Sequence, residues 1–352
     1  MVARLLVTLL LLAACDGAVP VDTGGDDPAT DAVDAEVVDP ERDSEGDSAG
    51  RDSGGRDSGD GGTGGDTSAP ATLTNVGDRW IFRRDDTVLE IDPTRGARVA
   101  RFTLGDVELL TDAAVNPTNW GATFWTSPQS AWGWPPIAAL DTEPYTVTAD
   151  GGTLVLTSGD AALGDTTIAV EKRVSLGPTA VTLAYTVRNV GDTPVSTAGW
   201  EVARVPTGGL TFFPAGASVA STMGSFPYTE QGGVVWFDGA APRSGDAKLV
   251  ADGTGGWLAH VADRVLFLER FADLAPAEQA PGEGEIELFA TSDYVELENQ
   301  GALTTIAPGE GVTHTVGWSA VPLPAEVHAG VGNAALVAFV ERTLSEARAE
   351  GP

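Results

Sequence analysis

The strings TIAVEKRVSL (167–176) and VTLAYTVRNV (181–190) indicate the fold class of this sequence. Apolar and polar residues alternate along both strings, and many of the apolar residues are β-branched. This pattern is typical of a β-strand that buries one face. Turn-forming residues follow at 189–192, so the second strand is predicted to end there.

The same alternation recurs along most of the remaining sequence, and Gly, Pro, Asn and Asp separate its segments. Further strands are predicted at 153–158, 233–238, 257–262, 264–271, 285–290, 294–298 and 312–318. No stretch before residue 325 repeats its apolar residues with a helical period. We therefore predict an all-β domain over residues 73–325, in which roughly fifteen antiparallel strands form two large packed sheets.

The end of the sequence has a different pattern. Asn333 is a favourable N-cap residue for a helix. Four apolar residues after it fall on one helical face: Leu336, Val340, Leu344 and Ala347. A short C-terminal helix and tail are therefore predicted over residues 326–352.

The first 15 residues read MVARLLVTLLLLAAC. Arg4 precedes an apolar stretch that is too short to span a bilayer, which is typical of a secretory signal. The last four residues resemble a bacterial lipobox, and Cys15 is the single cysteine of the chain. The resemblance implies a signal peptide over residues 1–14 and a lipidated Cys15 that anchors the protein in the bacterial cell envelope, on a periplasmic or cell-surface face. An ordinary secretory signal with an incidental cysteine is the alternative.

Residues 15–72 are predicted to form a disordered acidic linker. After Cys15 the stretch contains 16 acidic and 3 basic residues, and residues 51–65 consist of Arg, Asp, Ser, Gly and Thr alone. Such a segment buries too little apolar surface to offset the entropy lost on folding. A plain spacer between membrane and domain is the expected role.

Charge and cysteine content exclude several partners and cofactors. The chain has 51 acidic and 20 basic residues, a net charge of −31, so we predict no nucleic-acid partner. One cysteine excludes a disulfide framework and any Cys-based metal site. The three histidines, His260, His314 and His328, lie apart in the sequence and are predicted to be structural or exposed. No metal and no cofactor are predicted.

An aromatic segment, NWGATFWTSPQSAWGWPP (119–136), holds four of the nine tryptophans. Gly and Pro interrupt it, so it is predicted to be a long ordered loop. Tryptophan rings can pack on sugar rings, while amides bind hydroxyls. The sugar-binding candidates here are Trp125, Gln129, Trp132 and Trp134. The alternative is that some of these rings plug the end of the sandwich as core.

Two other segments combine charged and apolar residues. In GWEVARV (199–205), strand alternation places Glu201 on one face and Arg204 on the other. A charge in an apolar run is costly unless it is paired or functional, and an ion pair at a sheet edge is the structural alternative. In YVELENQG (294–301), Glu296 and Glu298 share one face roughly 6–7 Å apart. Two such carboxyls could carry out acid/base chemistry on a sugar, or could simply be a solvated strand face.

Four segments, taken in order, resemble the galactose-mutarotase-like superfamily. They are VLEIDPTRGARVARFTLGDVELL (88–110), the aromatic segment, residues 189–205, and the late Glu strand with the LTTIAPGE (303–310) that follows it. Within that superfamily, FWTSPQ, WGWPP and WEVARV are similar to a bacterial family of unknown function. The resemblance covers nearly all of residues 75–324.

The resemblance implies a supersandwich of two large antiparallel sheets with a concave sugar-binding face. It also implies a catalytic glutamate at Glu296 or Glu298, and it places Glu201 where the family has its main histidine. The second family histidine would fall in the aromatic segment, which contains none.

Three functions remain open from the sequence. The leading one is carbohydrate binding in the concave cleft by the four aromatic-segment candidates together with Glu201, Arg204, Glu296 and Glu298. A carbohydrate-active enzyme, either a sugar epimerase or a glycan-cleaving enzyme, would use Glu201 and Glu298 as its acid/base pair. A structural or protein-interaction module of the envelope is the third.

Overall fold

The computed structural model describes residues 69–349, which all belong to one unit of the chain, Gly64–Pro352. The predicted signal peptide, Cys15 and nearly all of the predicted linker lie outside the described residues. The described residues form two large antiparallel sheets that pack face to face, followed by one C-terminal helix. The predicted all-β fold with two large sheets and a C-terminal helix is confirmed.

Twenty-two strands are present in the described residues. In chain order they are β1 (Thr72–Val76), β2 (Arg79–Arg84), β3 (Thr87–Asp92), β4 (Arg98–Leu104), β5 (Val107–Glu108), β6 (Ala122–Ser127), β7 (Thr146–Asp150), β8 (Thr153–Thr157), β9 (Ala161–Leu163), β10 (Thr166–Leu176), β11 (Val181–Asn189), β12 (Val195–Pro206), β13 (Leu210–Met223), β14 (Tyr228–Gln231), β15 (Val234–Asp238), β16 (Ala247–Gly253), β17 (Trp257–Ala262), β18 (Val265–Arg270), β19 (Ile286–Ala290), β20 (Tyr294–Gln300), β21 (Thr304–Ile306) and β22 (Gly311–Pro322). The helices are α1 (Ala138–Asp141) and α2 (Ala334–Ala349), and 3-10 turns lie at Gln129–Ala131 and Pro276–Glu278.

The first sheet has the strand order β1-β2-β3-β4-β6-β12-β20-β19-β16-β13. The second sheet has the order β7-β8-β10-β11-β22-β18-β17-β13-β15-β14. The long strand β13 belongs to both, because its first five residues pair with β15 and its later residues pair with β16. It therefore ties the two sheets together. The last strand of the chain, β22, lies in the middle of the second sheet, between β11 and β18.

The core lies between the sheets, in what we call the inner layer. Phe102 of the first sheet contacts both Phe267 and Trp318 of the second, with ring centroids 5.6 and 5.5 Å apart. Phe124 stacks on Tyr185 with a centroid distance of 4.4 Å. Each fully buried large apolar side chain of this kind contributes about 1.5–3 kcal/mol to folding. The pairs also fix how the two sheets face each other.

Helix α2 covers the face of the second sheet that points away from the inner layer. Leu336 and Val340 are fully buried against it, and Leu344 is largely buried in the same cluster. The Asn333 side chain accepts a hydrogen bond from the backbone N–H of Ala335 over 3.0 Å, as predicted for an N-cap residue. Within residues 69–349, no helix has the length and apolar character needed to cross a membrane.

The aromatic segment differs from its prediction as a loop. Its residues Ala122–Ser127 form β6, all six of them buried between β4 and β12. Phe124 points into the inner layer, whereas Trp125 points to the opposite side. Because both faces of this strand are covered, its sequence, ATFWTS, lacks the regular alternation of apolar and polar residues that marks a half-buried strand.

Candidate functional site

Strand β12 carries functional candidates on both faces of the first sheet. Glu201 points into the inner layer, where it contacts Tyr185 and Trp318 of the second sheet. Trp200 and Arg204 point away from the second sheet, to what we call the outer face. The alternation predicted for residues 199–205 is confirmed.

In the inner layer, Glu201 belongs to a fully buried hydrogen-bond network. Its Oε1 accepts from the Tyr185 hydroxyl over 2.6 Å, and its Oε2 accepts from Trp318 Nε1 over 3.2 Å. The Asn299 amide donates to Glu201 Oε2 and also to Glu269 Oε2, each over 3.0 Å. One amide group therefore bridges two carboxyls in a space closed to water.

Burial governs the protonation of this network. It raises the pKa of Glu269 well above the usual range, and the Glu201 carboxyl raises it further. Burial also raises the pKa of Glu201, against the opposing hydrogen bonds from its three donors. Two carboxyls that share one amide and lack solvent do not both ionise. Burial and the mutual repulsion of the two carboxyls thus favour a proton on the pair, whereas Lys172 lowers the pKa of Glu201.

Two of the three histidines are buried and hydrogen-bonded among the described residues. His314 Nε2 donates to Asn299 Oδ1 over 2.7 Å, and His260 Nδ1 bonds the Thr211 hydroxyl over 2.9 Å. Burial lowers the pKa of each to about 4, so both rings are neutral at neutral pH. His328 is exposed.

On the outer face, Glu298 is a fully buried carboxyl. Its Oε2 accepts hydrogen bonds from Trp200 Nε1 over 2.9 Å and from Lys248 Nζ over 3.3 Å. Lys248 Nζ also lies 2.6 Å from Glu287 Oε2, so Glu298 and Glu287 share this ammonium group. Glu298 Oε1 has no hydrogen-bond partner among the described residues. Burial raises the pKa of Glu298 to about 8, although Lys248 opposes the shift, so this carboxyl is largely protonated at neutral pH.

Arg204 and Glu296 form the next pair along the outer face. The Arg204 Nε lies 2.8 Å from Glu296 Oε1, and its NH1 donates to the Thr123 hydroxyl over 3.2 Å. The guanidinium also lies 5.4 Å from the centre of the Trp125 ring. Arg204 therefore forms a Glu–Arg ion pair with Glu296 and not with Glu201, because Glu201 and Arg204 leave opposite faces of β12.

Trp125 lies at the centre of a cluster of four tryptophans. Trp200, Trp134 and Trp132 meet its ring edge-on, with centroids 5.4, 6.0 and 6.1 Å away. Its Nε1 donates to Asp141 over 2.9 Å. Trp125 is 6% exposed, whereas Trp134 is 50% exposed. The cluster thus runs from the buried sheet to the protein surface.

The predicted site residues fall into three groups. Glu201 lies in the inner layer; buried on the outer face are Trp125, Arg204, Glu296 and Glu298; at or near the surface are Gln129, Trp132 and Trp134. The register of β12 on β20 pairs Glu201 with Asn299, and Val202 with Glu298. Glu201 and Glu298 therefore point to opposite faces of the first sheet. The expected action of these two carboxyls as one acid/base pair is contradicted by this geometry, and their separate roles stay predictions.

Sequence reasoning missed the partners of these groups. Glu269, Lys248 and Glu287 stand in strands that are otherwise largely apolar, in VLFLER, AKLVADG and IELFA. A single charged residue inside an apolar strand was the sequence feature that could have marked each of them as a partner of another buried charge. Which charge meets which depends on strand order, and strand order is not encoded locally. No group of three or more His, Cys, Asp or Glu residues within 69–349 is placed to hold a metal ion.

Comparison with known proteins shows the fold. No protein-family model matches the chain, and no curated protein matches it. A putative aldose 1-epimerase from Klebsiella pneumoniae superposes with a TM-score of 0.52 at 10% sequence identity, covering 78% of this chain and 86% of that chain. The domain therefore has the fold of galactose-mutarotase-like proteins.

Two further solved structures are similar at lower scores. A putative aldose 1-epimerase from Escherichia coli K12 has a TM-score of 0.46 and 12% identity, covering 68% of this chain and 97% of that chain. A galactose mutarotase-like protein from Clostridium acetobutylicum has a TM-score of 0.48 and 9% identity, covering 73% of this chain and 100% of that chain.

Proposed function

We propose that this galactose-mutarotase-like domain binds carbohydrate on the outer face of the first sheet. The observation that carries the proposal is Trp134, which is 50% exposed while its ring stands edge-on against the buried ring of Trp125. An exposed ring held on a rigid support loses little conformational entropy on binding. The apolar C–H faces of a sugar can cover it and so remove apolar surface from water.

Polar groups lie on the same face of the first sheet as this ring. Gln129 lies in the 3-10 turn next to it and is partly exposed, as is Trp132. Lys248 and Glu296 retain 19% and 9% side-chain exposure on the same face. Sugar hydroxyls both donate and accept, so an amide, an ammonium and a carboxylate provide matching partners. Arg204 forms an ion pair with Glu296, and the buried Trp125 packs against Trp132 and Trp134.

A glycan array probed with the full chain tests the proposal, followed by calorimetry on the glycans that bind. Trp134→Ala is expected to weaken binding at least tenfold and to leave the melting temperature nearly unchanged, because the side chain is half exposed. Val331→Ala is the matched control, since Val331 is an exposed apolar side chain outside the cluster. Equal affinity in Trp134→Ala would contradict this site. Binding to no glycan would contradict the function and favour the structural or protein-interaction module.

A sugar epimerase or glycan-cleaving enzyme is the second candidate, and Glu298 favours it. A carboxyl that keeps its proton at neutral pH, with one oxygen unpartnered, has the state that a general acid needs. Glycans found on the array are incubated with the wild type and with Glu298→Gln, and anomeric exchange and new reducing ends are followed by NMR. Turnover that Glu298→Gln abolishes would support the enzyme. Binding without turnover in the wild type would contradict it.

We further propose that the chain is a lipoprotein of the bacterial cell envelope, anchored through Cys15 on a periplasmic or cell-surface face. The support is the lipobox-like LAAC at the end of an apolar signal-like stretch. Labelling with a radioactive fatty acid in a bacterial host is expected to mark the wild type and to spare Cys15→Ser. Label on Cys15→Ser, or a wild type that stays in the soluble fraction, would contradict the anchor.

A further inference from the structure

The loop between β18 and β19 contacts the aromatic segment through one carboxyl group. Glu283 lies near the end of this loop and is partly buried. Its Oε1 accepts a hydrogen bond from the backbone N–H of Gln129, and its Oε2 contacts the Ser127 hydroxyl. Gln129 begins the 3-10 turn that leads to Trp132 and Trp134. Glu283 therefore joins the loop to the part of the chain that carries the exposed tryptophan.

The Gln129 peptide holds this turn together. Its carbonyl oxygen accepts from the backbone N–H groups of Trp132 and Gly133, over 3.1 and 2.7 Å. Its own N–H is the first of the turn, and the first N–H groups of a helical turn have no acceptor inside it. Glu283 supplies that acceptor. The contact therefore fixes the direction in which the chain leaves β6 toward Trp134.

The hydrogen bonds continue from Ser127 into the first sheet. Ser127 Oγ lies 2.7 Å from Gln300 Oε1, and Gln300 Nε2 lies 3.3 Å from Glu287 Oε1. Both oxygens of Glu287 already accept, one from the Gly284 N–H over 3.1 Å and the other from Lys248 Nζ over 2.6 Å. Gln300 must therefore turn its NH₂ group toward Glu287, and its oxygen faces Ser127.

The directions of these hydrogen bonds require a proton on Glu283. A hydroxyl has one hydrogen, and Ser127 donates it to the oxygen that Gln300 presents. The other contact of the hydroxyl, with Glu283, is then a hydrogen bond only if the Glu283 carboxyl donates. Burial raises the pKa of Glu283 above its usual value, and the Glu287 carboxylate raises it further, in agreement with this proton.

The charges around Glu283 do not favour its ionised form. Glu287 of β19 faces it, and Lys248 of β16 is paired with Glu287. From β6, the 3-10 turn and β20 it meets only neutral groups, which belong to Ser127, Gln129 and Gln300. A second carboxylate at this position would therefore repel Glu287 and draw the loop toward water.

We propose that Glu283, as a neutral acid, is a positioning residue that holds the aromatic segment in the geometry that presents Trp134. When Glu283 ionises, the loop moves and the Gln129 N–H loses its acceptor. The effect on sugar binding rests on the proposed function. The hold on the segment is a property of the free protein and is measured without a sugar.

Hydrogen exchange of the free full chain tests this hold. Deuterium uptake of the peptide spanning 126–134 is followed by mass spectrometry between pH 5.5 and 8.5, with exchange times adjusted to equal intrinsic exchange. Protection of this peptide in the wild type is expected to fall by about tenfold as the pH rises, because the released carboxyl ionises more readily than the held one. Wild-type protection that stays constant with pH would overturn the proposal.

Glu283→Gln is the matched variant. Its amide oxygen can accept from the Gln129 N–H, and its NH₂ group can donate to Ser127, as a protonated glutamate does. It is expected to keep the protection of the wild type at pH 5.5 and to retain it at pH 8.5. Glu283→Ala loses both contacts and is expected to show low protection throughout. Glu278→Gln, which alters another carboxyl of the same loop, is expected to follow the wild type. A pH profile of Glu283→Gln parallel to that of the wild type would refute the role of the proton.

Binding of the glycan with the strongest array signal then connects Glu283 to the site. The wild-type affinity is expected to fall over the same pH range and by a similar factor, whereas that of Glu283→Gln stays nearly constant. Equal pH dependence of the two affinities would contradict a positioning role in binding. If the wild type binds no glycan, the proposed function fails, and the exchange profiles still decide whether Glu283 holds the segment.

Discussion

Glu269→Gln in the inner layer is predicted to remove part of the pH dependence of folding stability. Glutamine has the shape of a protonated glutamate, and its amide oxygen can accept the 3.0 Å hydrogen bond that Asn299 donates to Glu269. Its NH₂ group would take the place of Glu269 Oε1, which has no partner among the described residues. The substitution therefore preserves the shape of the network and removes one titratable group.

The magnitude follows from proton linkage. Burial, and then the neighbouring Glu201 carboxyl, raise the pKa of Glu269 above that of an unfolded glutamate, which is about 4.3. Above roughly pH 5 the folded pair therefore holds a proton that the unfolded chain has released. Stability from a raised pKa is complete below the unfolded value and is lost as the pH rises toward the folded value. One such proton lowers the free energy of unfolding by about 1.4 kcal/mol per pH unit.

Urea denaturation at pH 5.5, 6.5 and 7.5, followed by tryptophan fluorescence, measures the effect. The difference between Glu269→Gln and the wild type is expected to grow with pH across these two units, by roughly 1–3 kcal/mol in favour of the variant at pH 7.5. The difference cancels the contribution of the buried histidines, which both proteins contain. Glu230→Gln, an exposed carboxyl in β14, is expected to follow the wild type. Parallel pH profiles for Glu269→Gln and wild type would refute the shared buried proton.

Three other substitutions test the packing around the site. Leu336→Ala, in the fully buried face of α2, is expected to lower the free energy of unfolding by about 2–5 kcal/mol in urea denaturation; a loss below 1 kcal/mol would show that the helix is not docked. Arg204→Met leaves the Glu296 carboxylate buried without its cation and is expected to cost about 3–5 kcal/mol, and a double-mutant cycle with Glu296→Gln should recover much of it; additive losses would contradict the pair. Gly96→Ala is expected to cost more than about 2 kcal/mol in thermal melts, because φ is +61° there and a Cβ would overlap the carbonyl oxygen of Asp141; a wild-type melting temperature would contradict the geometry.

The periodic pattern of apolar and polar residues was enough to predict elements that bury one face and expose the other to solvent. The strings at 167–176 and 181–190 became β10 and β11, and the tail became α2 with Asn333 at its cap. The pattern did not predict β6, because a strand that is covered on both faces does not alternate apolar and polar residues. Short strands in the N-terminal part of the domain, such as β5, were also missed because two residues carry no period.

The residues of the candidate site could be predicted from the sequence, but the partner of each charged side chain could not. Alternation correctly separated Glu201 from Arg204, and it placed Glu296 and Glu298 on one face. The partner of each charge depends on which distant strand lies alongside. Arg204 meets Glu296 because β12 and β20 are neighbours, although 92 residues separate the two side chains. A single sequence contains no local signal for that register.

The position of β22 determines when, during synthesis of the chain, this domain can fold. Val181 of β11 pairs with Trp318 of β22, and the last strand also separates β11 from β18. While a nascent chain is still being synthesised, the second sheet lacks its middle strand, and neither half can close over the core. No stable half-domain can therefore fold ahead of the rest, and folding waits for contacts between residues more than 120 positions apart. A chain that ends before residue 311 would leave two long strand edges unpaired, which makes it a substrate for proteases and a nucleus for aggregation.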